Sequence, residues 1–204
     1  YMRVSLVITT YNSPDALLLV LKSVETQFTL PSEVIIADDG SNDSTKEIID
    51  SFKLSSNLTI VHSWQEDKGF RAAKSRNQAI SLTNEAYIVL IDGDVILHPE
   101  FIHDHIKNAE KGFFIQGSRV FLSKESSKDA VMNKKTGFSF FSPGIKNTKN
   151  AIHSNFLSKL FIKKNKKIKG IKTCNMSFFK QDCININGFN EDFEGWGRED
   201  SEFV

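Results

Sequence analysis

Short, continuous apolar runs alternate along the first half of the chain with segments whose apolar positions recur every three or four residues. The runs are rich in β-branched residues and read as strands over residues 3–9 (RVSLVIT), 33–39 (EVIIADD), 58–64 (LTIVHSW) and 86–92 (AYIVLID). Between them lie four helical patterns. SPDALLLVLKSVETQ (13–27) offers Ser13 as an N-cap, Pro14 at the first helical position and Asp15 in the first turn. STKEIIDSFK (44–53) carries a capping-box pattern from Ser44 to Glu47, with Ile48, Ile49 and Phe52 on one face. FRAAKSRNQAISL (70–82) and PEFIHDHIKNAEK (99–111) complete the set.

A fifth strand is expected over 113–122 (FFIQGSRVFL), and another over 172–180 (KTCNMSFFK), followed by a short helix. Continuous apolar strands that alternate with helices predict an α/β fold, with a mostly parallel central sheet flanked by helices. No repeat or clear linker divides the chain. The expectation is one domain over 1–204, with a ligand-binding half over 1–122 and a second half over 123–204. In such sheets ligands gather at the carboxyl ends of the strands. The polar clusters TTYN (9–12), DDGSND (38–43) and DGD (92–94) all stand there.

Composition narrows the partners. Twenty-six Lys and Arg face 25 Asp and Glu, a net charge of +1, so total charge makes no case for nucleic acid. Two cysteines, Cys174 and Cys183, provide no disulfide framework and suit reduced thiols in a cytoplasmic protein. No apolar stretch approaches the roughly 18 residues that span a bilayer, and the run at 3–9 is too short for a signal peptide. Residues 124–172 differ from the rest. They are Lys-rich, hold two acids, Glu125 and Asp129, and interleave Phe138, Phe140, Phe141, Phe156 and Phe161. That pattern reads either as a solvated insertion with core anchors or as a surface for an anionic membrane leaflet or glycan, which would place the protein peripherally on the inner face of the plasma membrane.

Four motifs carry candidate chemistry. Asp92 and Asp94 flank Gly93 at a strand end. In continued extended structure they point the same way and suit a hard divalent cation that keeps sites for phosphate and water; the plainer reading is an Asp-Gly turn. Asp38 and Asp39 end the second strand, either as acceptors for a base imide or sugar hydroxyls or as part of a turn into Ser44. Arg71, Lys74 and Arg76 sit near a helix start, where the macrodipole does not help them. A solvated face accounts for them, with a phosphate-facing Arg71 as the sharper alternative. EGWGREDSEF (194–203) places Trp196 between glycines as a stacking platform, next to Glu199 and Asp200, one of which could take a proton from a hydroxyl. An acid-rich helix start explains the same acids. His98, His103 and His105 match no zinc spacing and read as surface or partner-satisfied residues. The turn after the first strand, TTYNSPD, has neither the glycines nor the cations that a nucleotidyltransferase or a dinucleotide-binding dehydrogenase needs.

Taken together, VSLVITTYNSPDALLLVLKSV, VIIADDGSNDST, RNQAI with YIVLIDGDVILHP, and GFNEDFEGWGREDSEF resemble a family 2 glycosyltransferase with the GT-A fold. The last segment is similar to the Gly-Trp-Gly-x-Glu-Asp element of galactosyltransferases and chondroitin-type polymerases. The resemblance implies an inverting transfer of a hexose or N-acetylhexosamine from a UDP-sugar to a saccharide or lipid-linked saccharide, in surface polysaccharide synthesis, with Mn2+ or Mg2+. It implies that Thr10, Tyr11, Asn12 and Asp39 cradle the nucleoside and that Arg71 supports the base or diphosphate. Asp92 and Gly93 would meet the donor, and Asp94 with Asp92 the metal. Residues 1–122 would form the nucleotide-binding half and 123–204 the acceptor-binding half, with Asp200 as the catalytic base and Trp196, Glu199 and Asn175 on the acceptor. Arg198 departs from the uncharged residue common in relatives. Relatives also continue past the position of Val204, some with a further metal-binding His, so a C-terminally truncated domain is expected. A non-catalytic nucleotide-sugar-binding module with the same fold is the alternative.

Overall fold

A computed structural model describes residues 2–154, 164, 170–193 and 199–203. Its frame is a six-stranded sheet in the order β3-β2-β1-β4-β8-β5. Strands β1 (Val4–Thr10), β2 (Glu33–Asp38), β3 (Ile60–Trp64) and β4 (Tyr87–Asp92) run parallel. β8 (Asn175–Phe179) pairs antiparallel with β4, and β5 (Ile115–Gln116) antiparallel with β8.

The period of two along each strand sorts its side chains to the two faces. Leu6 and Ile8, Val34 and Ile36, and Val89 and Ile91 pack against α1 (Pro14–Glu25), α2 (Asp43–Ser55) and α4 (Phe101–Lys107). Val7, Ile35, Ala37, Ile88, Leu90, Met176 and Phe178 pack on the other face, against α3 (Ala72–Ser81), α6 (Lys180–Asn185) and Phe203 of α7's C-terminal flank (α7 is Glu199–Glu202). Burial on both faces is why these strands read as unbroken apolar runs.

Three local expectations are corrected. The strand expected over 113–122 breaks at Gly117. Ile115–Gln116 joins the main sheet, while β6 (Phe121–Leu122) pairs with β7 (Ile145–Lys146) in a separate ribbon. Gly117 stands at the break, where an added Cβ would lie 2.2 Å from Asn175 Nδ2, so the chain passes closest to β8 at a residue without a side chain. The capping box fails, because the helix is capped two residues earlier than expected. α2 starts at Asp43 with Asn42 as N-cap, and Ser44 Oγ donates to Asn42 Oδ1 at 2.6 Å. Ser13 does precede α1, but its hydroxyl donates back to Tyr11 O at 3.1 Å rather than accepting from the helix.

Within the Lys/Phe-rich region, α5 (Lys124–Met132) is capped by Ser123, whose Oγ accepts from Ser126 N. A single 3-10 turn follows at Thr148–Ala151. Phe141 is 89% exposed and Phe140 is also exposed, so neither is a core anchor. Phe156 and Phe161 lie outside the described residues. Among the described residues no helix is long and apolar enough to cross a membrane.

Candidate active site at the strand ends

The tips of β1, β2 and β4 are level, since Thr10 is in register with Asp38 and Thr9 with Asp92. Strand parity then decides which side chains meet. Thr9 follows Val7, Asp39 follows Ala37, Asp92 follows Leu90, and Cys174 precedes Met176. All four project to the α3 face. There they line an open cavity of about 450 Å3 with Thr10, Tyr11, Phe70, Arg76, Arg119, Thr173 and Asp200.

Parity also separates Asp38, the last residue of β2, from Asp39, which follows it. Asp38 turns to the opposite face, accepts from Ser41 N at 2.8 Å and bonds His62 Nε2 at 2.8 Å. Burial works against its charge, yet the bonds from His62 and Ser41 outweigh it and hold the carboxyl below its usual range. Asp38 therefore builds the turn. Asp39, also buried, reaches the cavity wall and accepts from Arg71 N at 2.7 Å and from Gln65 Nε2.

Tyr11 is exposed and its hydroxyl donates to Asp67 Oδ2 at 2.9 Å. Asn12 adopts a left-handed backbone (φ +46°) and its Oδ1 accepts from Asn42 N at 2.9 Å, tying the β1 turn to the β2 turn. The buried Thr10 Oγ1 has no hydrogen-bond partner within the protein. An orphaned hydroxyl at the wall of an open cavity fits a polar ligand there.

At the β4 tip the backbone turns, with Val95 N on Asp92 O at 3.1 Å, so extended structure does not continue through Asp94. Gly93 N donates to Thr9 O at 2.7 Å, and a Cβ at Gly93 would come within 2.9 Å of that oxygen. Asp92 faces the 450 Å3 cavity, whereas the exposed Asp94 lines a larger one of about 1020 Å3, with Arg119 shared by both. Burial raises the proton affinity of Asp92; the cation of Arg76 opposes this, and the charges of Asp94 and Asp200 add to it.

Asp200 joins from the far end of the chain. Its Oδ1 accepts from Thr173 Oγ1 at 2.7 Å and from Arg76 Nη1 at 3.3 Å, and its Oδ2 accepts from Thr173 N at 3.3 Å. Arg76 is the residue that sequence reasoning missed. It is not on a solvated face: it is 5% exposed, with its guanidinium 3.3 Å from Asp200, 3.8 Å from Asp92 and 5.4 Å from the Phe189 ring centroid. The signal was its place four residues after Ala72 and four before Ile80, on the apolar stripe of α3.

The remaining site expectations fall elsewhere. Asn175 is buried on the side of the larger cavity, with Nδ2 donating to Ser118 O at 3.0 Å and Oδ1 bonded to His105 Nε2 at 3.0 Å. Arg71 contributes its backbone N–H to Asp39, and its guanidinium donates to Glu66 O. Trp196 and Arg198 lie outside the described residues. Glu199 opens α7, but its side chain is likewise outside the description.

A profile described as glycosyl transferase family 2 matches residues 5–182. The chain belongs to this family. Hyaluronan synthase of Pasteurella multocida is 27% identical over 222 residues, covering 100% of this chain and 22% of that protein. The mannosyltransferase PcManGT of Pyrobaculum calidifontis, solved with GDP-Man and Mn2+, superposes with a TM-score of 0.63 at 16% identity, covering 100% of this chain and 51% of that one. TarS of S. aureus, residues 1–349 with UDP-GlcNAc, gives 0.61 at 20% identity, covering 99% and 52%. These likenesses establish a GT-A fold for this family 2 domain. The domain spans about half of each of these two solved chains and about a fifth of the Pasteurella synthase.

Proposed function

We propose that this family 2 domain transfers a hexose or N-acetylhexosamine from a UDP-sugar to a saccharide hydroxyl, with inversion and with a divalent cation, in polysaccharide synthesis. The observation that carries the reading is the single cavity lined by Thr10, Asp39, Asp92 and Asp200 at level strand tips. Relatives named as a hyaluronan synthase and as a structure holding UDP-GlcNAc support the donor class and the polymer context.

Thr10, Tyr11 and Asp39 would bind the nucleoside, with Asn12 and the Arg71 backbone holding the walls. Asp92 and Asp94 face different cavities from one turn, so a hard divalent cation held by both would sit at the boundary between those cavities, beside Asp92, whose anion is destabilised by burial and by neighbouring acids. Mn2+ in a structure of the same fold agrees with that choice of ion. Such a cation, when bound, offsets charge on a departing diphosphate. Asp200 would accept the proton of the acceptor hydroxyl as its oxygen attacks the anomeric carbon and the bond to the diphosphate breaks. Thr173 and Arg76 orient that carboxylate. Trp196, Glu199 and Asn175 would meet the acceptor. The exposed Phe140 and Phe141, on a segment with Lys134 and Lys135, support contact with an anionic leaflet.

Asp200→Asn separates the roles. UDP binding should stay within about threefold, while transfer falls by at least about 100-fold. Equal losses in both would remove Asp200 from the proton-transfer role. Tight UDP binding by the wild type without transfer to any acceptor would favour a binding module.

A further inference from the structure

Away from the strand-tip cavity, two carboxylates and an imidazole converge at the start of α4. Glu100 is the N-cap of that helix and Asp104 lies four residues on, so both occupy one face. His153 arrives from the segment just after the 3-10 turn, 49 residues away from Asp104. Its Nε2 stands 2.8 Å from Asp104 Oδ2 and its Nδ1 3.9 Å from Glu100 Oε1. One ligand atom from each of the three residues lies within 4.8 Å of the other two. The ring of His98 stacks on that of His153, with centroids 4.6 Å apart at 20°.

We propose that Glu100, Asp104 and His153 bind a divalent transition-metal ion, and that this ion clasps the segment after the 3-10 turn to the start of α4. Two carboxylate oxygens and one imidazole nitrogen form a mixed N/O set that suits Zn2+, Co2+ or Mn2+ with positions left for water. A divalent ion offsets the charge of both facing carboxylates. Glu100 and Asp104 are half-buried and His153 is exposed, so an ion can enter from solvent. The stacked His98 ring fixes the plane of the ligating imidazole. His98, Asp104 and His153 form part of the wall of the 1020 Å3 cavity that also receives Asp94. The clasp would therefore set the shape of that cavity. It uses none of the strand-tip acids and does not rest on the sugar-transfer reading.

Co2+ titration tests this, read by visible d–d absorption and by the thermal midpoint. The double variant Asp92→Asn/Asp94→Asn should keep a Co2+ band of N/O character and a metal-dependent rise in midpoint. His153→Ala and Glu100→Gln should each weaken that binding by at least about tenfold, while leaving the metal-free midpoint nearly unchanged. A band indifferent to His153→Ala would overturn the proposal, as would one lost only in the Asp92/Asp94 variant. A wild-type protein that shows no band at millimolar Co2+ would overturn it too. Loss of UDP binding with the Co2+ site intact would count against the proposed function alone.

Discussion

At the scale of single residues, the chemistry of the site turns on which face each acid takes. Asp39 and Asp92 could be placed from sequence because each ends an apolar strand and parity sends both toward α3. Asp38 was ambiguous, since an Asp-Gly turn and a ligand-binding acid share one signature. Only the position of His62 on the next strand resolves it. Arg76 was hidden for a different reason. A cation near a helix start normally belongs to solvent, and its partners Asp92 and Asp200 are 16 and 124 residues away. Arg76→Met should leave both carboxylates facing each other without their cation. Because each is partly open to solvent, the expected loss is about 2 kcal/mol, below that of a fully buried pair. Urea denaturation measures it, and a loss under about 0.5 kcal/mol would mean that the guanidinium is solvated after all.

At the scale of elements, helix α4 is joined to the sheet by a directed chain of hydrogen bonds. Asn175 Nδ2 must donate to the carbonyl of Ser118, which turns its Oδ1 toward His105 Nε2. His105 Nδ1 then accepts from Ser177 Oγ at 2.7 Å, and Ser177 accepts from the Tyr87 hydroxyl at 2.7 Å. The chain is complete only with a neutral imidazole. Burial accordingly lowers the pKa of His105 from 6.5 to about 4, against the pull of Asn175 and Asp104. A depressed folded pKa means that stability is intact above about 6.5 and declines as pH falls toward 4, where the unfolded chain takes up a proton that the folded one refuses. The effect over that window is on the order of 3 kcal/mol. Thermal midpoints between pH 7 and 4.5 should fall more steeply for the wild type than for His105→Leu; parallel slopes would contradict the assignment. None of this network was legible in sequence. FIHDHIK shows four polar residues around an apolar stripe, and nothing in it says which imidazole turns inward. The same Asn175 fills the space that a side chain at Gly117 would need, beside the point where the strand expected over 113–122 breaks.

At the scale of the whole molecule, the alternation of strands and helices determined the layers, and four level parallel strands placed the candidate site at their tips. The architecture was legible because the central strands β1, β2 and β4 are buried on both faces, while α1, α2 and α3 each bury one face. The route of the second half was less so. β8 enters between β4 and β5 and runs against β4, and its apolar run does not announce a direction. The two cavities follow from that insertion. One is bounded by the tips of β1, β2 and β4 with Asp200, and the other by α4, β5 and the β6–β7 ribbon. Asp92 belongs to the first and Asp94 to the second, so the DGD turn stands between the proposed donor side and the proposed acceptor side.

The central claim is that acids at these strand tips hold a nucleoside diphosphate through a divalent cation. Calorimetry of UDP with the folded chain, with and without Mn2+, tests it most directly. The account predicts binding that strengthens at least about tenfold with Mn2+ and loses that gain in Asp92→Asn/Asp94→Asn. UDP affinity unchanged by Mn2+, or unaffected by the double substitution, would contradict it.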